Sequence, residues 1–241
     1  MIARNVFTLL LAAGAFGLAV GLSGCDGMPG RPKLADKWQA PDEMAGFEKL
    51  YSQNCVACHG LGSVAGASIA MDNPTFLAVI PGETLTNDIA NGVHGTAMPG
   101  SSKAAGGTLT AEQIKTITAG ILAKKPARPP GPTLPDYSAP LGDVGRGSRV
   151  FATSCAACHG PAGTGGGKAG SVVAATYLGL VSNQYLRTVV IAGRPDLGCP
   201  DFANRTPGKP MTSEDIADVT AWLVSHRKNE FGQPLIAPKQ P

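Results

Sequence analysis

The chain has 241 residues, room for one large domain or two small ones, and a formal net charge of +3. That charge excludes a strongly basic nucleic-acid binder, and no stretch after the N-terminal segment is long and apolar enough to span a bilayer. Aromatics are only 5% of the residues and glycines number 32, so the side-chain core is expected to be weak and to need completion by something else.

The N-terminus reads as an export signal. Arg4 supplies the positive start, and Val6 to Leu22 is apolar with small residues near its end. The sequence Leu22-Ser23-Gly24-Cys25 resembles the lipobox of bacterial lipoproteins. That resemblance implies removal of residues 1–24 and lipidation of Cys25, which would tether the mature chain to a membrane; an uncleaved transmembrane anchor is the alternative. Asp26, next to the cysteine, implies retention at the periplasmic side of the bacterial inner membrane. Residues 25–41 are polar with Pro and Gly, as a flexible tether would be.

Beyond the tether the sequence repeats itself. The run from Gly46 through Tyr51 to Cys55-Val-Ala-Cys58-His59-Gly60 matches that from Gly147 through Phe151 to Cys155-Ala-Ala-Cys158-His159-Gly160. An aromatic residue lies four positions before the first cysteine in both. Further on, Thr110-Ala-Glu-Gln-Ile114 matches Thr212-Ser-Glu-Asp-Ile216. Each threonine is a candidate N-cap, with acids in the first helical turn. Ile114, Ile117 and Ile121, like Ile216, Val219 and Leu223, follow at helical spacing. Each unit is expected to run helix, CxxCH, Gly-rich loops, closing helix, without a sheet. Pro126, Pro129, Pro130, Pro132, Pro135 and Pro140 mark the break and predict an extended spacer. The units are therefore 42–125 and 142–230, the linker 126–141 and the tail 231–241.

The chemistry lies in the two CxxCH sequences. Their spacing lets two thiols add to the two vinyl groups of one haem while the adjacent imidazole reaches iron. A zinc or redox pair is the alternative for a single copy, and a pair of disulfides would leave both histidines and the repeat without a role. Two copies behind an export signal point to covalent haem c at both.

On these motifs each unit resembles a class I cytochrome c domain. The resemblance implies an all-α chain of two tandem class I domains joined by the Pro-rich linker. It implies two covalent haem c groups, held at Cys55, Cys58 and His59 and at Cys155, Cys158 and His159. It also implies a distal ligand, usually Met, before the closing helix. In unit one Met98-Pro99 fits that pattern, with His94 as rival and a buried core methionine as the plain alternative. Unit two departs from it. Gly92 to Met98 and Gly193 to Cys199 both span six positions, and proline follows each. Cys199 thus occupies the methionine slot and is the cysteine left over after haem and lipid have taken five. Met211 is the competing ligand, although its alignment with Leu109 suits packing, and a free or modified Cys199 is the third possibility.

Other features carry less. Gly165-Gly-Gly167-Lys168 lacks the flanking residues of a phosphate loop and reads as a haem-edge loop. His226 suits a helix end. Trp222 is expected to pack in its closing helix, whereas Gly120, its counterpart, predicts looser packing in unit one. The proline whose carbonyl often orients the proximal histidine in the family is not evident in unit two.

Residues 42–123 carry three basic against seven acidic groups, and residues 142–230 nine against seven. An acidic and a basic unit suit two different docking partners. The leading function is single-electron transfer between a quinol-oxidising complex and an oxidase, reductase or other cytochrome, as a carrier or as a subunit. The alternative is a dihaem enzyme acting on sulfur compounds, similar to thiosulfate dehydrogenases, which use an axial cysteine. A haem-based redox or gas sensor is a third reading. No nucleic-acid partner is expected.

Overall fold

The computed structural model describes residue 33 and residues 38–62, 66–125 and 132–228. The proposed signal segment, Cys25, the start of the linker and the C-terminal tail lie outside the described residues. Among those described there is no strand, only isolated bridges, and the architecture is all-α.

The first unit contains α1 (Phe47–Asn54), α2 (Val56–His59), α3 (Pro74–Val79), α4 (Gly82–Asn91) and α5 (Ala111–Leu122). The second repeats the order with α6 (Val144–Ser154), α7 (Ala156–His159), α8 (Ala175–Leu180), α9 (Asn183–Ala192) and α10 (Ser213–Ser225). The closing helices begin where the sequence places them. Thr110 caps Gln113 and Thr212 caps Asp215, each in a reciprocal capping box. Ile114, Ile117 and Ile121 are buried in one core, and Ile216, Val219 and Leu223 in the other.

The segments expected as Gly-rich loops contain α3, α4, α8 and α9. Their signal is short. Asn73 accepts from Phe76 N–H ahead of Pro74, and Ser182 accepts from Tyr185 N–H. Leu85 and Ile89, and Leu186 and Val190, then face the cores at i, i+4 spacing.

Unit one's closing helix is not loosely packed. Counted back from the first haem-motif cysteine, Phe47 and Gly147 are equivalent, both eight positions upstream. Gly120 and Trp222 are likewise equivalent in the closing helices. The two domains therefore place the aromatic ring on opposite helices. In unit one Phe47 lies on α1 and fills the space over Gly120, where a Cβ would meet the ring at 2.1 Å. In unit two Trp222 lies on α10, its ring 4.1 Å from that of Phe151. Here the small residue is Gly147 on α6, where a Cβ would sit 2.0 Å from the Asp218 carbonyl oxygen. Gly147→Ala should accordingly destabilise the second domain by about 1–3 kcal/mol, the usual cost of overpacking, measurable in thermal unfolding.

Asp218 ties the same helix pair. It is 2% exposed, and its carboxylate accepts from Asp143 N–H at 2.6 Å and from Arg146 Nε at 2.7 Å. The Arg146 hydrogen bond holds its pKa below the usual 3.8, against the opposing effect of burial and helped by Asp143 N–H. A depressed carboxylate pKa stabilises the fold above its unfolded value, and that contribution drains as pH falls through the folded value. Asp218→Asn should therefore lower stability by about 2 kcal/mol at pH 7. The gap from wild type should narrow below pH 4. Chemical denaturation at both pH values measures it.

The described part of the proline-rich segment, residues 132–141, packs against both units. Leu134 packs into the second core and Tyr137 into the first. Buried Arg187 on α9 donates to the Asp136 carbonyl at 2.8 Å, and Gln184 to the Tyr137 carbonyl at 2.7 Å. The units also touch directly, α3 against α9. Asn73 Nδ2 donates to the Ala192 carbonyl at 3.1 Å, and Thr75 Oγ1 to Asp201 at 3.0 Å. Pro132, Pro135 and Pro140 stiffen this described stretch and lower the entropic cost of holding it in place.

Candidate functional site

Both CxxCH segments fold alike. The incoming helix stops at Cys55 or Cys155, and a single turn carries the second cysteine and the histidine. All five described cysteines are free thiols, so no disulfide competes for the pairs. Burial pushes Cys55 up to about 11 and also raises Cys155, which keeps these thiols protonated.

Each histidine is oriented through Nδ1. His59 bonds the Ile69 carbonyl and His159 the Gly170 carbonyl, both at 2.8 Å. A carbonyl can only accept, so Nδ1 carries the proton and Nε2 keeps its lone pair for a metal. Unit two thus needs no proline, because any backbone carbonyl at that point does the same work. Burial, followed by the Arg194 charge, lowers the His59 pKa despite the Ile69 bond, which favours the neutral, ligating form.

The distal loops are equivalent in backbone. Gly92 and Gly193 end α4 and α9 with φ of 72° and 65°. Val93 N–H then bonds the Met98 carbonyl at 3.1 Å, and Arg194 N–H the Cys199 carbonyl at 2.8 Å. A Cβ on Gly92 would lie 2.7 Å from the Met98 oxygen, and one on Gly193 would lie 2.6 Å from the Cys199 oxygen. Only glycine fits either turn, so the six-residue count is a shared geometry. Met98 is half-buried against the first core, and its rival His94 is exposed. Met211 is 6% exposed and buried in the second core, as Leu109 is in the first.

Cys199 interacts with His159 and is the largest influence raising the histidine's pKa. The Cys199 thiol is pulled down to about 7. Burial works against this, but His159 and the Arg205 cation outweigh it. Arg205 Nη1 lies 3.4 Å from Cys199 Sγ, and its Nη2 is fixed by the Val189 and Val190 carbonyls at 3.0 Å each. The sequence reading missed Arg205, Arg194 and both orienting carbonyls. A carbonyl has no sequence signal, and each arginine reaches its partner only through a loop. The Gly165–Lys168 turn folds back on α7, where Gly165 N–H donates to the His159 carbonyl at 2.9 Å. His226 bonds the Trp222 carbonyl at 2.8 Å near the end of α10.

Two thiols and an imidazole oriented through Nδ1, with Met98 or Cys199 on the following loop, make a donor set that fits haem c in each unit. Residues 144–227 match the family described as cytochrome c, and residues 42–121 match that described as cytochrome c oxidase, cbb3-type, subunit III. A cbb3-type cytochrome c oxidase subunit CcoP from Azospirillum sp. (strain B510) is 30% identical over 142 residues, spanning 53% of this chain and 43% of that protein. A cytochrome bc1 complex cytochrome c subunit from Corynebacterium diphtheriae is 26% identical over 240 residues, spanning 90% of this chain and 80% of that protein. Among solved structures, a chain of the Kuenenia stuttgartiensis reducing HAO-like protein complex is similar at 17% identity and TM-score 0.47, covering 80% of this chain and 100% of that one. With both halves matched on an all-helical frame, the chain belongs to the cytochrome c family, as two class I domains in tandem that bind haem c covalently.

Proposed function

We propose that this protein is a dihaem electron carrier on the periplasmic side of the inner membrane, anchored by lipid at Cys25, and that it works with or within a respiratory complex. The observation that carries the proposal is the pair of CxxCH turns, each with its histidine oriented through Nδ1, in two domains that dock through direct hydrogen bonds. Haem c supplies one-electron chemistry when bound at each CxxCH. The chain's own residues anchor it, hold each imidazole by its Nδ1 proton and set the distal sulfur. The relatives named for cbb3 oxidase and the bc1 complex suggest a quinol-oxidising complex, an oxidase or another cytochrome as partner. The acidic first unit and basic second one would then meet different partners.

A potentiometric titration of the purified chain should give two one-electron steps, with haem one the higher in potential because thioether ligation favours ferrous iron. A single step, with one haem per chain, would defeat the proposal. Cys25→Ser should release the chain from membranes, and membrane protein without added acyl mass would remove the anchor. A second reading, oxidation of a sulfur compound, is favoured by the Cys199–Arg205 contact, where a cation stands beside the sulfur. Reduction of the haems by thiosulfate alone would select it.

A further inference from the structure

We infer that Arg194 is the residue that joins the two haem centres, fixing their geometry for electron exchange and biasing the first haem toward its reduced state. This rests on the reading that both domains carry haem.

Arg194 belongs to the Cys199 loop by backbone. Its N–H bonds the Cys199 carbonyl at 2.8 Å, and its own carbonyl accepts from Cys199 N–H at 2.9 Å. The side chain leaves the domain. Nη2 donates to the Gly66 carbonyl at 2.7 Å, and Nη1 lies 3.4 Å from the Ala67 carbonyl. That stretch lies against the first haem motif. A Cβ on Gly66 would fall 2.2 Å from the Cys58 oxygen, and Ser68 N–H bonds the same oxygen at 2.8 Å. Ile69, next in the chain, orients His59. One side chain thus spans the distal loop of one site and the proximal loop of the other.

The guanidinium is buried, 7% exposed, and its other edge is forked onto Asp196, with Nη2 to Oδ2 at 2.7 Å and Nε to Oδ1 at 3.0 Å. Asp196 holds the cation's direction, and the adjacent edge, Nη1 with Nη2, is turned to the first domain. A buried fork of this kind is poorly replaced by lysine, whose compact ammonium cannot hold both partners in one plane. The charge has a sign with a consequence. A cation held on the loop that orients His59 disfavours the extra positive charge of ferric iron. Haem one is thereby raised in potential.

The test uses full-length protein with haem content checked in every variant. Midpoint potentials come from titration, and exchange between haems from the spectral redistribution after one is pulse-reduced. Arg194→Gln should lower the haem-one potential and slow exchange by roughly tenfold, equivalent to about 1.4 kcal/mol of barrier. Asp196→Asn, which unmasks the cation, should raise that potential, a change of opposite sign that a merely structural role would not give. Arg194→Lys should keep the potential near wild type yet leave exchange slow. Unchanged potentials and rates in Arg194→Gln, or shifts of the same sign in Arg194→Gln and Asp196→Asn, would overturn the inference. Wild type with one haem, or with no exchange at all, would instead overturn the function on which it rests.

Discussion

Cys199→Met should raise the potential of haem two by on the order of 0.1 V or more, within the span that axial ligands command. A thiolate donates strongly and stabilises ferric iron, whereas a thioether favours ferrous. The substitution copies the first domain at a position with the same backbone turn, Gly193 standing for Gly92. Ferric wild type should show two low-spin EPR species, one with the narrow g-spread of His/thiolate ligation. In Cys199→Met that species should give way to one resembling His/Met. The Arg205 cation at 3.4 Å already favours a thiolate there. If a thiol reagent labels Cys199 in native ferric protein while the spectrum of haem two persists, the ligand lies elsewhere. Met211 is poorly placed to replace it, because it is packed in the core beneath α9 and α10.

The Cys155→Ser/Cys158→Ser double variant should halve haem content from two per chain to one and unfold the second domain at far lower denaturant concentration. The reason is size. A helical domain this small draws only about 3–5 kcal/mol from its side-chain core. The buried aromatic residues of that core are Phe151, Phe202 and Trp222. The apolar face of a covalent haem is the missing surface. Trp222 reports the loss, since haem quenches a nearby indole and its emission should rise in the variant. The first domain should keep its haem and its Met98-type spectrum, because its core residues are its own except at Ala192 and Tyr137. A pyridine haemochrome assay showing two haems in the variant would refute the assignment.

The haem motifs were legible in the sequence because thioether attachment depends on local spacing. Cys55, Cys58 and His59 must share a helical turn, and C-x-x-C-H is that turn written out. The closing helices were legible for a similar reason. The Thr110 and Thr212 capping boxes and the i, i+3, i+4 apolar faces are contained within a dozen residues. Even the departure at Cys199 could be counted from Gly193, since a tight turn makes sequence distance and spatial position agree.

Tertiary structure decided what depends on residues far apart. Phe47 fills the space above Gly120 only because α1 crosses α5 there, and no count along one helix reveals a ring donated by another. Proline marks the segment between the domains as stiff, but the docking of its described part depends on Leu134 and Tyr137 finding two different cores. Ile69 and Gly170 orient the histidines with carbonyls, which every residue possesses. Arg194 meets Gly66 across more than a hundred residues of chain, through a bond to backbone that leaves no mark on the partner's side chain. Local rules fix which atoms can bind a haem. Loop folding within each domain fixes which carbonyls orient the histidines and which cation stands beside Cys199, and only the closing of the two domains brings Arg194 to Gly66.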